Sequence, residues 1–150
     1  FVSVAIRTLT QSRSCSRSAS TNRLSTQPGM HYHKADMTEA IGCAILKECF
    51  SQAGFHIVEN YPLAEGVIQF SVDGYDPSAK VGYEFVTTEA GDRQEITPSL
   101  IAELEGKMKK GELYIFLIDE QEVASAAELS DAAKHFLEKV QQLRNQEQGR

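Results

Sequence analysis

The chain has 150 residues, 41% of them apolar and 24% charged, with no Trp; this is the size and composition of one globular domain, not of a fibrous, low-complexity or membrane-embedded chain. Charge is uneven: residues 1–29 hold Arg7, Arg13, Arg17 and Arg23 and no acid, a net +4, whereas residues 30–150 set 11 basic against 21 acidic residues, a net −10. A domain this negative repels phosphate backbones at long range, which excludes generic nucleic-acid binding unless a local basic patch opposes it.

Residues 1–36 read as a disordered tail. The stretch Arg7-Thr-Leu-Thr-Gln-Ser-Arg-Ser-Cys-Ser-Arg-Ser-Ala-Ser-Thr-Asn-Arg is rich in Ser, Thr and Arg and cannot bury enough apolar surface to offset its chain entropy. Its composition is that of a mitochondrial transit peptide; the preferred expectation is a non-native upstream segment, with translation beginning at Met30 or Met37. The run Val4-Ala5-Ile6 is too short for a secretory core, and no stretch approaches the ~20 apolar residues of a membrane helix. His31, His33 and Asp36 resemble metal ligands, but two histidines in such a segment lack a preset ligand frame and are expected to be solvated. Cys15, Cys43 and Cys49 are odd in number and form no C-x-x-C pair, so a reducing compartment such as the cytoplasm is expected, with Cys43 and Cys49 as small core or boundary residues.

The domain proper is expected over residues 37–145. Thr38 is a candidate N-cap for an amphipathic helix over 38–53, in which Ile41, Ile45 and Cys49 recur at i+4, and Gly54 stands where a C′ glycine ends a helix. The period then changes. Residues 55–61 are β-rich and are expected to stop at Pro62. Residues 67–73 alternate, with Ile68, Phe70 and Val72 on one face; Gly74-Tyr-Asp-Pro-Ser78 has turn chemistry. Residues 80–88 alternate again, placing Val81, Tyr83 and Phe85 on one face and Gly82, Glu84 and Val86 on the other, so an antiparallel hairpin is predicted.

Residues 90–93 read as a loop. A second helix follows, capped by Thr97, with Pro98 at N1 and Gly111 at its end. Leu113-Tyr-Ile-Phe-Leu-Ile118 is a continuous apolar run, expected as a central strand covered on both faces. The last helix starts from Ser125-x-x-Glu128, a capping-box pattern, or from Ser130, and buries Leu129, Ala133, Phe136, Leu137, Val140 and Leu143; residues 146–150 are expected to fray. The order α-β-β-β-α-β-α predicts an α+β (mixed α/β) domain, one mixed sheet with an antiparallel hairpin and flanking helices.

The candidate chemistry lies in the hairpin. Asp73 ends one strand, Asp76 lies in the turn, and Glu84 lies in the next strand; alternation keeps Asp73 and Glu84 off the apolar face, so their carboxylates can approach across the pair. Paired carboxylates are hard oxygen ligands for Mg²⁺, which can activate water for phosphodiester cleavage. The same residues also suit an ordinary tight turn and an outward-facing strand position. No phosphate loop, dinucleotide fingerprint or nucleophile elbow is present, and His56 and His135 stand alone.

This order of elements, with Asp73 on the second strand and Glu84-Phe85-Val86 on the third, resembles the core of the restriction-endonuclease-like PD-(D/E)xK superfamily over about residues 38–120. The resemblance implies that Asp73 and Glu84 bind the metal. Val86 stands where the lysine of the E-x-K belongs, and Lys80, in the same hairpin, is the candidate substitute. The expectation that follows is a non-catalytic endonuclease-like module acting in protein interaction, assembly or self-association, with no cofactor and no membrane role. The alternative is a divergent Mg-dependent nuclease using Asp73, Glu84 and Lys80, with Asp76 as a further metal ligand and nucleic acid as its partner.

Overall fold

A computed structural model describes residues 37–88 and 91–149, and for Asp92 and Arg93 their backbone alone. The Ser/Arg-rich segment, with His31, His33 and Asp36, lies outside the described residues. The elements are α1 (Glu39–Gln52), β1 (Val58–Glu65), β2 (Ile68–Asp76), β3 (Val81–Val86), α2 (Pro98–Lys109), β4 (Tyr114–Asp119) and α3 (Ala126–Gln148). The order is thus α-β-β-β-α-β-α, with one helical turn at Asp92–Glu95 where a plain loop was expected and a 3₁₀ turn at Glu120–Glu122. No helix among the described residues is long and apolar enough to cross a membrane.

Local chemistry explains the helix ends. The Thr38, Thr97 and Ser125 hydroxyls accept from the N–H groups of Ile41, Leu100 and Glu128, each satisfying a donor that helix geometry leaves unpaired. Glu128 reaches back to the Ala124 N–H at 3.1 Å, so Ser125 and not Ser130 starts α3. At the end of α1 the Gly54 N–H donates to Ser51 and the Phe55 N–H to Phe50, and α2 closes in the same way through Gly111 and Glu112. Both are Schellman endings. Residues 146–148, expected to fray, continue α3 to a length of 23 residues.

The strands form one sheet in the order β1-β2-β3-β4, antiparallel except for the parallel β3–β4 pair. Two boundaries and one strand position differ from expectation. β1 does not stop before Pro62 but runs through it, with Pro62 opposite Ser71; at an edge strand the missing N–H faces away from the ladder and costs no bond. The hairpin turn is Pro77–Lys80 and not residues 74–78, so Gly74, Tyr75 and Asp76 belong to β2. β4 ends the sheet order instead of occupying its centre. Its apolar run is still explained, because both its faces are covered.

Alternation along β4 shows how. Phe116 packs on Phe136 of α3, with ring centroids 5.1 Å apart, while Ile115 and Leu117 meet Ile101, Leu104 and Met108 of α2. Helices α1 and α3 therefore lie on one face and α2 on the other. Phe50 of α1 joins the first layer to the sheet, its ring 5.1 Å from that of Tyr83 and 6.2 Å from that of Phe136. β3 lies in the sheet interior between these layers, and all six of its residues are buried. Glu84, expected on an outward face, is buried with them.

Candidate functional site

The site forms where two strands part. β2 and β3 pair only at Gly74–Tyr83, Tyr75–Gly82 and Asp76–Val81. Before Gly74, β2 stays with β1; after Tyr83, β3 stays with β4 through Val86. A fork opens between them, and two carboxylates bridge it. The Asp73 N–H donates to Glu84 Oε2 at 2.8 Å, and the Phe85 N–H donates to Asp73 Oδ2 at 2.8 Å. Side-chain oxygens stand in for the carbonyls that a regular ladder would supply, and each bond is strengthened by the acceptor's charge.

Helix α1 lies over the fork. A Cβ on Gly42 would fall 2.6 Å from the Phe85 ring, so only glycine lets the helix come this close to β3. That approach sets the N-terminal turns of α1 against Asp73. Glu39 and Cys43, four residues apart and so on one helix face, each bring one ligand atom to within 4.8 Å of the other and of an Asp73 oxygen. All three residues are half-buried. Burial pushes the Cys43 thiol far above its ordinary range; the Asp73 charge and the bond that Cys43 donates to it add to this, as do the charges of Glu39 and Glu84. The thiol is protonated and shielded, not a poised nucleophile.

The Tyr83 ring lies against Gly74, the residue after Asp73, and a Cβ there would come within 2.6 Å of the hydroxyl. The hydroxyl is buried and has no hydrogen-bond partner. Desolvation raises its pKa beyond the usual tyrosine range, and the Glu59 and Asp73 charges push in the same direction.

The sequence-expected residues divide between two places. Asp73 and Glu84 come together at the fork. Asp76 does not join them: it is the last residue of β2, and its carboxylate accepts from the Ser78 and Ala79 N–H groups of the turn and from the His56 N–H. Lys80 lies at that same turn end, four residues before Glu84 in the chain, with its Nζ 3.5 Å from Glu65 Oε1. In an extended strand four residues span ~13 Å, so Lys80 lies away from the paired carboxylates, and Val86 is buried. Glu39 and Cys43 were not picked out as site residues. Their i,i+4 spacing was visible, but the packing of α1 over the fork was not.

Asp76 carries a pH signature. Burial works to raise its pKa, but the backbone N–H groups of Ala79, His56 and Ser78 outweigh it, and the carboxyl titrates below the ordinary value of 3.8. A depressed folded-state pKa stabilises the fold above the unfolded value, and this contribution is lost as pH falls below 3.8 and through the folded-state value. Asp76→Asn is expected to cost about 2 kcal/mol at neutral pH, since it removes charge-assisted bonds from a buried turn. Urea melts at pH 7 and pH 3 check this: the gap between parent and variant should shrink at the lower pH, and a gap independent of pH would count against the assignment.

No protein-family model, curated protein or solved structure matches the chain.

Proposed function

We propose that this domain is a non-catalytic module of endonuclease-like shape that acts in protein interaction or assembly. The observation that carries the reading is how the two carboxylates are used. Asp73 and Glu84 each accept a backbone N–H across the β2–β3 fork, which is a structural role. Hydrolysis of a phosphodiester needs in addition a cation to orient the attacking water and stabilise the developing charge, and the two positions that could provide one hold buried Val86 and the remote Lys80. The net charge of −10 over residues 30–150 suits a basic protein surface better than a phosphate backbone.

A second reading, Mg-dependent cleavage of nucleic acid, draws support from one further observation: Glu39 adds a carboxylate beside Asp73, and Mg²⁺ favours carboxylate oxygens. Nicking of supercoiled plasmid in Mg²⁺ and in Mn²⁺ separates the two. The expected result is no conversion above buffer. Conversion that disappears in Asp73→Asn and Glu84→Gln, with the far-UV circular dichroism unchanged, would overturn the non-catalytic reading.

A further inference from the structure

The β1–β2 hairpin does not lie flat. Ile68, opposite Glu65 at its tip, is eight residues from Asp76, opposite Val81, and a flat strand of that length spans ~27 Å. Glu65 Oε1 nonetheless lies 3.5 Å from Nζ of Lys80, the residue before Val81, and Glu65 Oε2 lies 4.0 Å from Nζ of Lys107 in the last turn of α2. Two side chains cannot bridge the length of a flat ribbon, so the hairpin coils back and sets its tip against the body, as strongly twisted two-stranded ribbons can. Leu63 and Ile68, near that tip, are buried, which a two-stranded ribbon standing free in water does not achieve.

The coiled segment has a hinge at its base and a clasp at its tip. At the base, Asn60 has a left-handed backbone, φ 49, and makes no register pair, while the residues on either side of it do. It stands level with Asp73, where β2 leaves β3. A break in the ladder is where a ribbon takes up a change of φ and ψ at least cost. The clasp at the tip is ionic and partly open to water, with side-chain exposure of 52% for Lys80 and 25% for Glu65 and Lys107, so salt screens it. Closure also has a polar cost. Tyr75 is 2% exposed, its hydroxyl has no hydrogen-bond partner among the described residues, and its ring lies 5.0 Å from that of Tyr61 in the coiled segment. Burial, and after it the Glu65 charge, raise its pKa to about 12. A buried hydroxyl without a partner is costly, and water repairs it when the segment lifts.

We propose that residues 61–72 form a strap that hinges at Asn60 and is clasped by Glu65 to Lys80 and Lys107, so that ionic strength sets how often it lifts. Lifting hydrates the Tyr75 hydroxyl and bares Leu63 and Ile68, while the β3–β4 pair stays intact. Packing of Leu63 and Ile68 keeps the closed form dominant, and the clasp tunes the population of the lifted form. The strap lies at the sheet edge opposite β4 and operates whether or not the domain cleaves, or binds, any partner.

Amide hydrogen exchange on the full-length chain, read by mass spectrometry, tests the strap, with the amides of β4 as the reference for global unfolding. At low ionic strength, Glu65→Gln should speed exchange across residues 61–72 about fivefold relative to β4, the scale set by exposed ion pairs. NaCl at about 1 M, where the screening length is ~3 Å, should do the same to the parent chain and add little in Glu65→Gln. Glu59→Gln breaks a comparable pair, Glu59 to Lys47 at 3.1 Å, on the other side of the hinge, and should leave residues 61–72 unchanged. Tyr75→Phe removes the unpaired hydroxyl and should slow exchange of the segment several-fold. Exchange in residues 61–72 that follows β4 under every condition, that ignores both salt and Glu65→Gln, or that responds equally to Glu59→Gln would overturn the strap, as would faster exchange in Tyr75→Phe.

Discussion

Glu84→Ala is expected to destabilise the domain by about 3–5 kcal/mol, read as a fall in the urea midpoint at constant m-value. Glu84 is 3% exposed on an interior strand, and its carboxylate accepts the Asp73 N–H at 2.8 Å. Alanine leaves that N–H without its acceptor where water does not readily replace it, and it opens a void the neighbouring strands can only partly fill. Glu84→Gln keeps the shape and one acceptor oxygen, so it should cost roughly 1–2 kcal/mol. Because Asp73 returns the bond to the Phe85 N–H, the two acids act as a unit. A double-mutant cycle with Asp73→Ala should show a coupling of about 1–3 kcal/mol. A Glu84→Ala variant within 1 kcal/mol of the parent would mean that the fork is not held by these carboxylates.

The second large effect is steric. Gly74→Ala is expected to cost about 3 kcal/mol, at the upper end of the range for overpacking. The added Cβ would lie 2.3 Å from Tyr83 Cζ. The ring cannot swing aside, because Phe50 holds it edge-on at 5.1 Å and interiors are packed too densely to offer it another position. Gly106 is the internal contrast. It lies inside α2, and a Cβ there meets nothing within 4 Å, so Gly106→Ala should stabilise by roughly 0.5–1 kcal/mol through helix propensity and lower unfolded-state entropy. Equal effects at the two glycines would contradict the close packing of Tyr83 on β2.

The hairpin illustrates the limit of reading periodicity. Asp-Gly-Tyr-Asp-Pro carries two strong turn signals, and the first of them lies inside a strand. Gly74 is there because Tyr83 needs the space across the ladder, a reason that exists only once β2 and β3 are paired. Pro62 misled in the same way. It reads as a stop, but β1 is an edge strand and tolerates it. Glu84 is the plainest case: alternation keeps it off the apolar face, yet it lies on an interior strand whose six residues are all buried, so the residue expected in solvent is buried.

The site was half visible for the same reason. Asp73 and Glu84 lie on adjacent strands of one hairpin, so local alternation brought them together. Asp76 and Lys80 were grouped with them by nearness in sequence, but the shifted turn carries both to the far end, where Asp76 ties the turn and Lys80 faces Glu65. Cys43 read as a small boundary residue on an amphipathic helix, and only the contact of Gly42 with Phe85 reveals what it faces.

By itself, then, the sequence determined the elements and their order: apolar period, caps such as Thr38, Thr97 and Ser125, and the helix-ending Gly54 and Gly111 are properties of neighbouring residues and act over one or two turns. It also determined the charge of the domain. The tertiary structure alone decided which strand lies in the interior, where β2 and β3 part, and which helix face meets the fork. Those depend on long-range packing, in which a single close approach at Gly42 brings Glu39 and Cys43 to an acid that follows them by some thirty residues. The acidic hairpin became a clamp between strands, and a donor set of oxygen and sulfur came into being only when α1 settled on it.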